Sequence, residues 1–209
     1  MKNIFFILLV IPFYSFAQNK TKEMVRKGVD TTKYVPVGIN IGDSAPKINA
    51  TSLTGRKINS TEILQGKKIV LIFYRGKWCP YCNKFLSNLN DSLQYISDNN
   101  AEIIVIGPES FENTEKTADK AAATFVLIPD TTLQIQKDYD VLFSVTKKYQ
   151  GKIKTFLRTD IAKNNNQKEA TLPVPATYII DTTGKIIWRY FDYDYSKRPS
   201  VKEIIDNLK

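Results

Sequence analysis

The amino-acid sequence points to an α/β domain, a central mixed sheet flanked by helices with an N-terminal β-hairpin, on three grounds. Ile69-Val70-Leu71-Ile72-Phe73-Tyr74 is a continuous apolar run, the pattern of a strand buried on both faces. The pattern returns at Ile103 to Ile106 and at Phe125 to Ile128, with helical stretches at about Cys79 to Ser97 and Phe111 to Ala121. Strands alternating with helices imply βαβ units joined by right-handed crossovers. Finally, Thr177 to Ile180 and Lys185 to Phe191 flank Asp181-Thr182-Thr183-Gly184, a hairpin turn.

The other elements follow in chain order. Residues 18–35 are polar and lack clear periodicity, so they read as an N-terminal extension, and the domain runs from about Pro36 to Lys209. After Gly42-Asp43-Ser44-Ala45-Pro46 come alternating residues, a Thr54-Gly55 turn and a second short run, Lys57-Ile58-Asn59, which together make the N-terminal hairpin. Ser60 is expected to cap a brief helical turn, and Asp130 a helix through about Tyr139. The long polar and basic stretch beyond it, containing Asn164-Asn165-Asn166, reads as a mobile loop. Ser200-Val201-Lys202-Glu203 is a capping box that opens a last helix with Ile204, Ile205 and Leu208 inward. Neither an internal repeat nor a second domain is visible.

Lys2 precedes an apolar run from Ile4 to Phe13, and Ser15-Phe16-Ala17 and polar Gln18 follow it. This is the pattern of a secretory signal peptide, residues 1–17, cleaved after Ala17. The run is shorter than the roughly 20 residues that cross a bilayer, so the expectation is a periplasmic or extracellular protein without a stable membrane anchor. Lysine and arginine outnumber acidic residues 30 to 21, for a net charge of +9. Lys147, Lys148, Lys152, Lys154 and Arg158 crowd one stretch, and Lys20, Lys22, Arg26 and Lys27 another. With export expected and no nucleic-acid-binding motif beside the charge, this reads as a solvated basic face and not as a nucleic-acid site. Histidine is absent from the sequence. That excludes Ser-His-Asp and Cys-His catalysis, His-containing zinc sites, and haem attachment at a Cys-x-x-Cys-His, where Asn83 stands.

The chemistry is concentrated in Trp78-Cys79-Pro80-Tyr81-Cys82. A bridge closing so small a loop stabilises little, so the pair is better suited to opening and closing than to holding the fold. Cys79, Cys82, Leu86, Leu89, Leu93 and Ile96 fall on one helical stripe. Cys79 at the helix start is expected to be exposed, and Cys82 one turn in to be shielded. Pro80 suits the first helical position, where its missing N–H is no loss. The open N–H groups and positive end of the helix are expected to hold Cys79 as a thiolate, below the ~8.5 of a free cysteine, with Arg75 and Lys77 adding charge. Side chains three apart on a helix are roughly 5–6 Å apart at Cβ, near enough to close a disulfide. Half of a zinc site would lack its remaining ligands, and no metal or other cofactor is expected. A redox-inert module carrying copper on the two thiolates is the alternative from another class; the lack of histidine and scarcity of methionine weigh against it. For Trp78 a packing role competes with that of an active-site cover, and for Arg75 a solvated strand end competes with a site cation.

Gly42-Asp43-Ser44-Ala45-Pro46, Phe73-Tyr74-Arg75-Gly76-Lys77-Trp78-Cys79-Pro80-Tyr81-Cys82 and Leu172-Pro173-Val174-Pro175-Ala176-Thr177-Tyr178-Ile179-Ile180-Asp181 resemble peroxiredoxin-like members of the alkyl hydroperoxide reductase/thiol-specific antioxidant (AhpC/TSA) group. The likeness runs from about Asn40 to the C-terminus and includes Phe191-Asp192-Tyr193-Asp194-Tyr195. It implies a thioredoxin-like fold in which Pro175 is cis and lies against both cysteines, with the Val174 backbone free to pair with an incoming partner. The sequence departs from both parent patterns. Ile72, Gly76 and Pro175 stand where typical peroxiredoxins have proline, threonine and arginine, and Phe73 stands where thioredoxins have a buried carboxylate. Arg75 is the nearest cation able to replace the missing arginine. The resemblance implies a thiol-dependent antioxidant oxidoreductase in which Cys79 attacks a hydroperoxide and Cys82 resolves the adduct, with an exported protein disulfide reductase as the alternative. Arg75, Trp78, Pro80, Tyr81, Val174 and Pro175 would contact the substrate, and a thioredoxin-like protein or a small thiol would be the electron donor.

Overall fold

In the computed structural model, which describes residues 21–209, the apolar run forms β3 (Lys68–Phe73) at the centre of a five-stranded sheet. The expected signal peptide lies outside the described residues. Strand order is β5-β4-β3-β8-β9, with β4 spanning Ala101–Gly107, β5 Val126–Pro129, β8 Ala176–Ile180 and β9 Ile186–Phe191. β3, β4 and β5 are parallel, whereas β8 pairs antiparallel with both β3 and β9, so the sheet is mixed. The N-terminal hairpin is present as β1 (Asn49–Thr51) against β2 (Lys57–Asn59).

Strand periodicity divides the core in two. Val70, Ile72 and Tyr74 join one apolar cluster with both cysteines, while Ile69, Leu71 and Phe73 join another with Tyr139 and Tyr178. Both faces are therefore covered, as an unbroken apolar strand requires. The helical stretch after β3 is two helices, Pro80–Asn90 and Leu93–Asp98. Between them stand Asp91 and Ser92, short polar residues that compete for backbone hydrogen bonds; the Ser92 hydroxyl donates to the Asn88 carbonyl.

Several expectations are corrected. Asn59, not Ser60, caps the short helix Ser60–Ile63: its side chain accepts from the Thr61 N–H, while the Ser60 hydroxyl is buried and accepts from the Ile48 N–H. Asp130 does not cap the helix Gln134–Asp138 but accepts from the backbone and side chain of Gln136 inside it. The stretch read as a mobile loop is folded. It holds β6 (Leu142–Ser144) paired with β7 (Thr171–Pro173), a helix Lys147–Leu157 and a short helix Ile161–Asn164, with Asn164 and Asn165 buried. Residues 21–35 are more than a leader into the domain. Met24 packs on the cysteine-bearing core, and Val29 is buried and bridges Val145. Ser200 caps the last helix, Val201–Asp206, by accepting from the Glu203 N–H.

Candidate active site

Leaving the central strand, the chain makes one turn before the helix Pro80–Asn90 begins. Gly76 makes that turn at φ +145°, and a Cβ there would stand 2.6 Å from the Trp78 Nε1 and 3.1 Å from the Glu109 Oε1. Only glycine satisfies both the dihedral and the space. Cys79 is the N-cap; its N–H donates to the Gly76 carbonyl at 2.9 Å, and its sulfur accepts from the Cys82 N–H at 3.4 Å. Pro80 takes the first helical position, as expected.

Both cysteines are reduced and buried, Cys79 at 1% exposure and Cys82 at 0%, so the expected exposure of Cys79 is wrong. The helix Lys147–Leu157 and Tyr195 roof the helix start that the sequence left open. The two thiols are nevertheless unequal. Cys79 borders a cavity of about 190 Å³, walled by Arg75, Trp78, Pro80 and Tyr81 from its own segment, by Tyr149, Lys152, Ile153, Phe156 and Leu157 from the roofing helix, and by Tyr195. Cys82 does not line it. Instead, the Arg198 guanidinium donates to the Cys82 sulfur at 3.2 Å and lies over the Phe85 ring.

Arg75 is not a solvated strand end. It is 1% exposed, its Cζ 4.0 Å from the Tyr195 ring centroid, 5.0 Å from that of Trp78 and 5.3 Å from that of Tyr149. Nη2 donates to the Tyr149 hydroxyl at 2.9 Å, whereas Nε and Nη1 have no protein partner. Burying unpaired guanidinium donors costs free energy, and the residue that carries them lines the cavity that Cys79 borders.

The two thiols titrate as a pair, and their surroundings draw the charge toward Cys82, although the Cys79 sulfur keeps the helix N–H that the sequence suggested would hold a thiolate there. Burial alone would raise Cys82, but the hydrogen bond with Cys79, the Arg198 guanidinium, the Arg75 backbone N–H and the Arg75 charge outweigh it and bring Cys82 down to about 5. Cys79 is pushed well up by its burial and by its hydrogen bond and proximity to Cys82, against the pull of the two arginines. The pair thus holds one proton and one negative charge near neutral pH.

Of the expected substrate contacts, Arg75, Trp78, Pro80 and Tyr81 line the cavity and Val174 and Pro175 do not. No cis peptide bond occurs among the described residues, so Pro175 is trans, contrary to what the resemblance implies. The Val174 N–H is already bonded to the Val141 carbonyl at 2.8 Å, which uses the donor of the backbone edge expected to receive a partner. Sequence reasoning missed Tyr149, Arg198 and Glu109. Arg198 is 116 residues from Cys82, and no local signal links them. Glu109 had a signal, a carboxylate just past the carboxyl end of a buried strand. It accepts from the Lys77 N–H at 2.8 Å, the Thr117 hydroxyl at 2.7 Å and the Asn164 amide at 2.9 Å, and so buttresses the loop before Cys79. A larger open groove, about 1090 Å³, is lined by Lys154, Arg158 and Lys163 and contains no cysteine; it meets this segment at Lys77.

A parallel-strand core that delivers a buried dithiol from the end of its central strand onto a helix N-terminus defines a thioredoxin-fold thiol oxidoreductase. The chain belongs to the AhpC/TSA family, whose model matches residues 41–189. Among its relatives, peroxiredoxin Bcp of Bacillus subtilis is 28% identical over 150-odd residues, spanning 72% of this chain and 85% of that one. Thiol-disulfide oxidoreductase ResA of Bacillus thuringiensis is also 28% identical, over 71% of this chain and 68% of that one. Peroxidoxin BcpB from Mycobacterium tuberculosis has the same fold, with a TM-score of 0.61 at 16% identity over 84% of this chain and 97% of that one. A protein from Bacteroides thetaiotaomicron described as a putative protein disulfide isomerase shares the fold at a TM-score of 0.56 and 17% identity, over 84% and 90% of the two chains. The chain is therefore an oxidoreductase, and its substrates and electron donor belong to thiol chemistry.

Proposed function

We propose that the enzyme reduces hydroperoxides, with Cys79 as the attacking and Cys82 as the resolving cysteine. The observation that carries this reading is the small cavity lined by both Cys79 and Arg75, whose guanidinium has two unpartnered donors. A hydroperoxide fits such a site, and its oxygens can accept from Nε and Nη1 as negative charge develops on them. A polypeptide disulfide would need an exposed sulfur and an open backbone edge.

The pair shares one proton and one negative charge, and with the proton on Cys82 the Cys79 thiolate is the attacking species. The Cys79 sulfur bonds to the terminal peroxide oxygen, the O–O bond breaks, and the departing alkoxide takes the proton from Cys82. Cys82 thiolate then attacks the Cys79 sulfenic acid; the S–S bond forms and water leaves after protonation. Two thiols and one hydroperoxide give one disulfide, one alcohol and one water. A thioredoxin-like protein or a small thiol then returns the dithiol by exchange.

Trp78, which lines the cavity, serves as a fluorescence probe for stopped-flow mixing of the reduced protein with hydrogen peroxide, an organic hydroperoxide and a disulfide peptide. Hydroperoxides are expected to outpace the peptide, and Cys79→Ser to abolish every fast phase. Peroxide rates no better than those of a free thiol, beside rapid exchange with the peptide, would assign the disulfide reductase reading, which the ResA relatives favour. We also propose that the enzyme is exported, on the pattern of residues 1–17. A mature N-terminus at Gln18 in the periplasmic or extracellular fraction is the expected result, and an intact Met1 in the cytoplasm the contrary one.

A further inference from the structure

Arg198 and Tyr195 reach the redox centre from residues 192–198, a segment that forms neither helix nor strand. Irregular backbone keeps a guanidinium on a sulfur only if something fixes it, and the fixing group is Asp194. Its carboxylate accepts from the Ser196 N–H at 3.0 Å and the Ser196 hydroxyl at 2.6 Å, its N–H donates to Asp192 at 2.8 Å, and its carbonyl accepts from the Lys197 N–H at 2.9 Å. The same carboxylate pairs with Lys27, and both side chains are mostly buried, 14% and 10% exposed. Lys27 also stands 5.2 Å from the Tyr195 ring centroid, on the ring that lies over Arg75. Lys27 is itself anchored: Val29 is buried and bridged to Val145, and the Thr146 N–H donates to the Gly28 carbonyl at 2.9 Å. Lys27 and residues 192–198 both lie outside the stretch that the family model matches.

We propose that Lys27 is a positioning residue of the redox centre: by pairing with Asp194 and flanking Tyr195, it holds residues 192–198 so that Arg198 stays hydrogen-bonded to the Cys82 sulfur. The inference rests on the cysteine pair being the redox centre, not on which oxidant it meets. The charged groups facing Cys82 are Arg198, Arg75 and Cys79; those beside Asp194 are Lys27 and the Asp192 and Lys197 pair. A buried charge-assisted bond favours the thiolate, and stabilising the reduced form makes the disulfide more oxidising. Releasing the segment therefore disfavours the Cys82 thiolate and shifts thiol-disulfide exchange toward the protein disulfide.

The test uses two readings that need no peroxide: ultraviolet thiolate absorbance against pH, and equilibrium exchange with a glutathione buffer. Arg198→Met is expected to weaken the first thiol ionisation about tenfold or more, since an opposite charge at this range is worth that much. The exchange constant should move toward the protein disulfide by a similar factor. Lys27→Met should shift both readings in the same direction by a smaller factor, and Lys27→Arg, which keeps the ion pair, should restore them. Should Lys27→Met fail to fold, Ser196→Ala, which removes one Asp194 hydrogen bond at an exposed site, carries the same expectation. Wild-type readings in Arg198→Met overturn the proposal. So does a Lys27→Met or Ser196→Ala protein that is less stable but unchanged in both readings, the result a purely structural clamp would give. Absence of peroxidase activity in the wild-type protein leaves both readings intact and bears only on the proposed function.

Discussion

Arg75 sits where the sequence allowed two environments, and burial decides between them. Its guanidinium lies among three aromatic rings with two donors unpaired, an arrangement poor for stability and suited to a developing negative charge. Arg75→Met should slow hydroperoxide reaction by about 10²-fold, the usual effect of losing such donors, while leaving thermal stability equal or higher. Stopped-flow fluorescence and thermal unfolding of the same protein check both halves. The cysteine pair makes a separate prediction. Cys82 is depressed to about 5, so the single negative charge that the pair shares is present above that pH and is lost as pH falls through it. The peroxide rate should be flat at neutral pH and fall about tenfold for each further pH step below 5. Motif spacing singled out the two cysteines but not the cation beside them, because Arg198 arrives from the far end of the chain.

At the scale of elements, the turn at Gly76 and the helix Lys147–Leu157 make the site. Gly76→Ala adds a Cβ against Trp78 at a positive φ and should destabilise the protein by about 1–3 kcal/mol, read by urea unfolding, and displace Trp78 from the cavity wall. The central strand, the two strands that extend the sheet parallel to it on one side and both hairpins were legible because long apolar runs and turn residues depend on little beyond themselves. The helix Lys147–Leu157 was not. Tyr149 and Ile153, four residues apart, form its buried stripe, but Lys147, Lys148, Lys152 and Lys154 around them and Gly151 between them read as a polar loop. The short helix Ile161–Asn164 was hidden for a related reason, since Asn164 is buried by hydrogen bonding to Glu109 and not by apolar contact.

Across the whole molecule, the buried Lys27 and Asp194 pair ties the segment before the family-matched region to the one after it. Asp194 is held from 3.8 down to about 2: burial alone would raise it, and the Lys27 and Ser196 hydrogen bonds outweigh that. A depressed carboxylate contributes stability that is complete above its unfolded value and lost as pH falls through its folded one. The contribution is about 2 kcal/mol at neutral pH. Asp194→Asn should therefore be less stable than wild type by about that amount at pH 7 in urea unfolding, with the difference shrinking as pH falls from 3.8 toward 2. No sign of their pairing is visible in the sequence, since Lys27 read as part of a basic cluster and Asp194 as part of the family-like stretch, and an ion pair between residues 167 positions apart leaves no local pattern. The division of labour between the two cysteines can be read in one product analysis. Reduced Cys82→Ser protein is treated with one equivalent of an organic hydroperoxide and a sulfenic-acid-trapping reagent, and its peptides are weighed by mass spectrometry. A trapped sulfenic acid on Cys79 is the expected product, with the wild-type protein giving instead an untrapped Cys79-Cys82 disulfide; a Cys82→Ser protein whose Cys79 stays a thiol while Cys79→Ser is oxidised at Cys82 would reverse the roles assigned here.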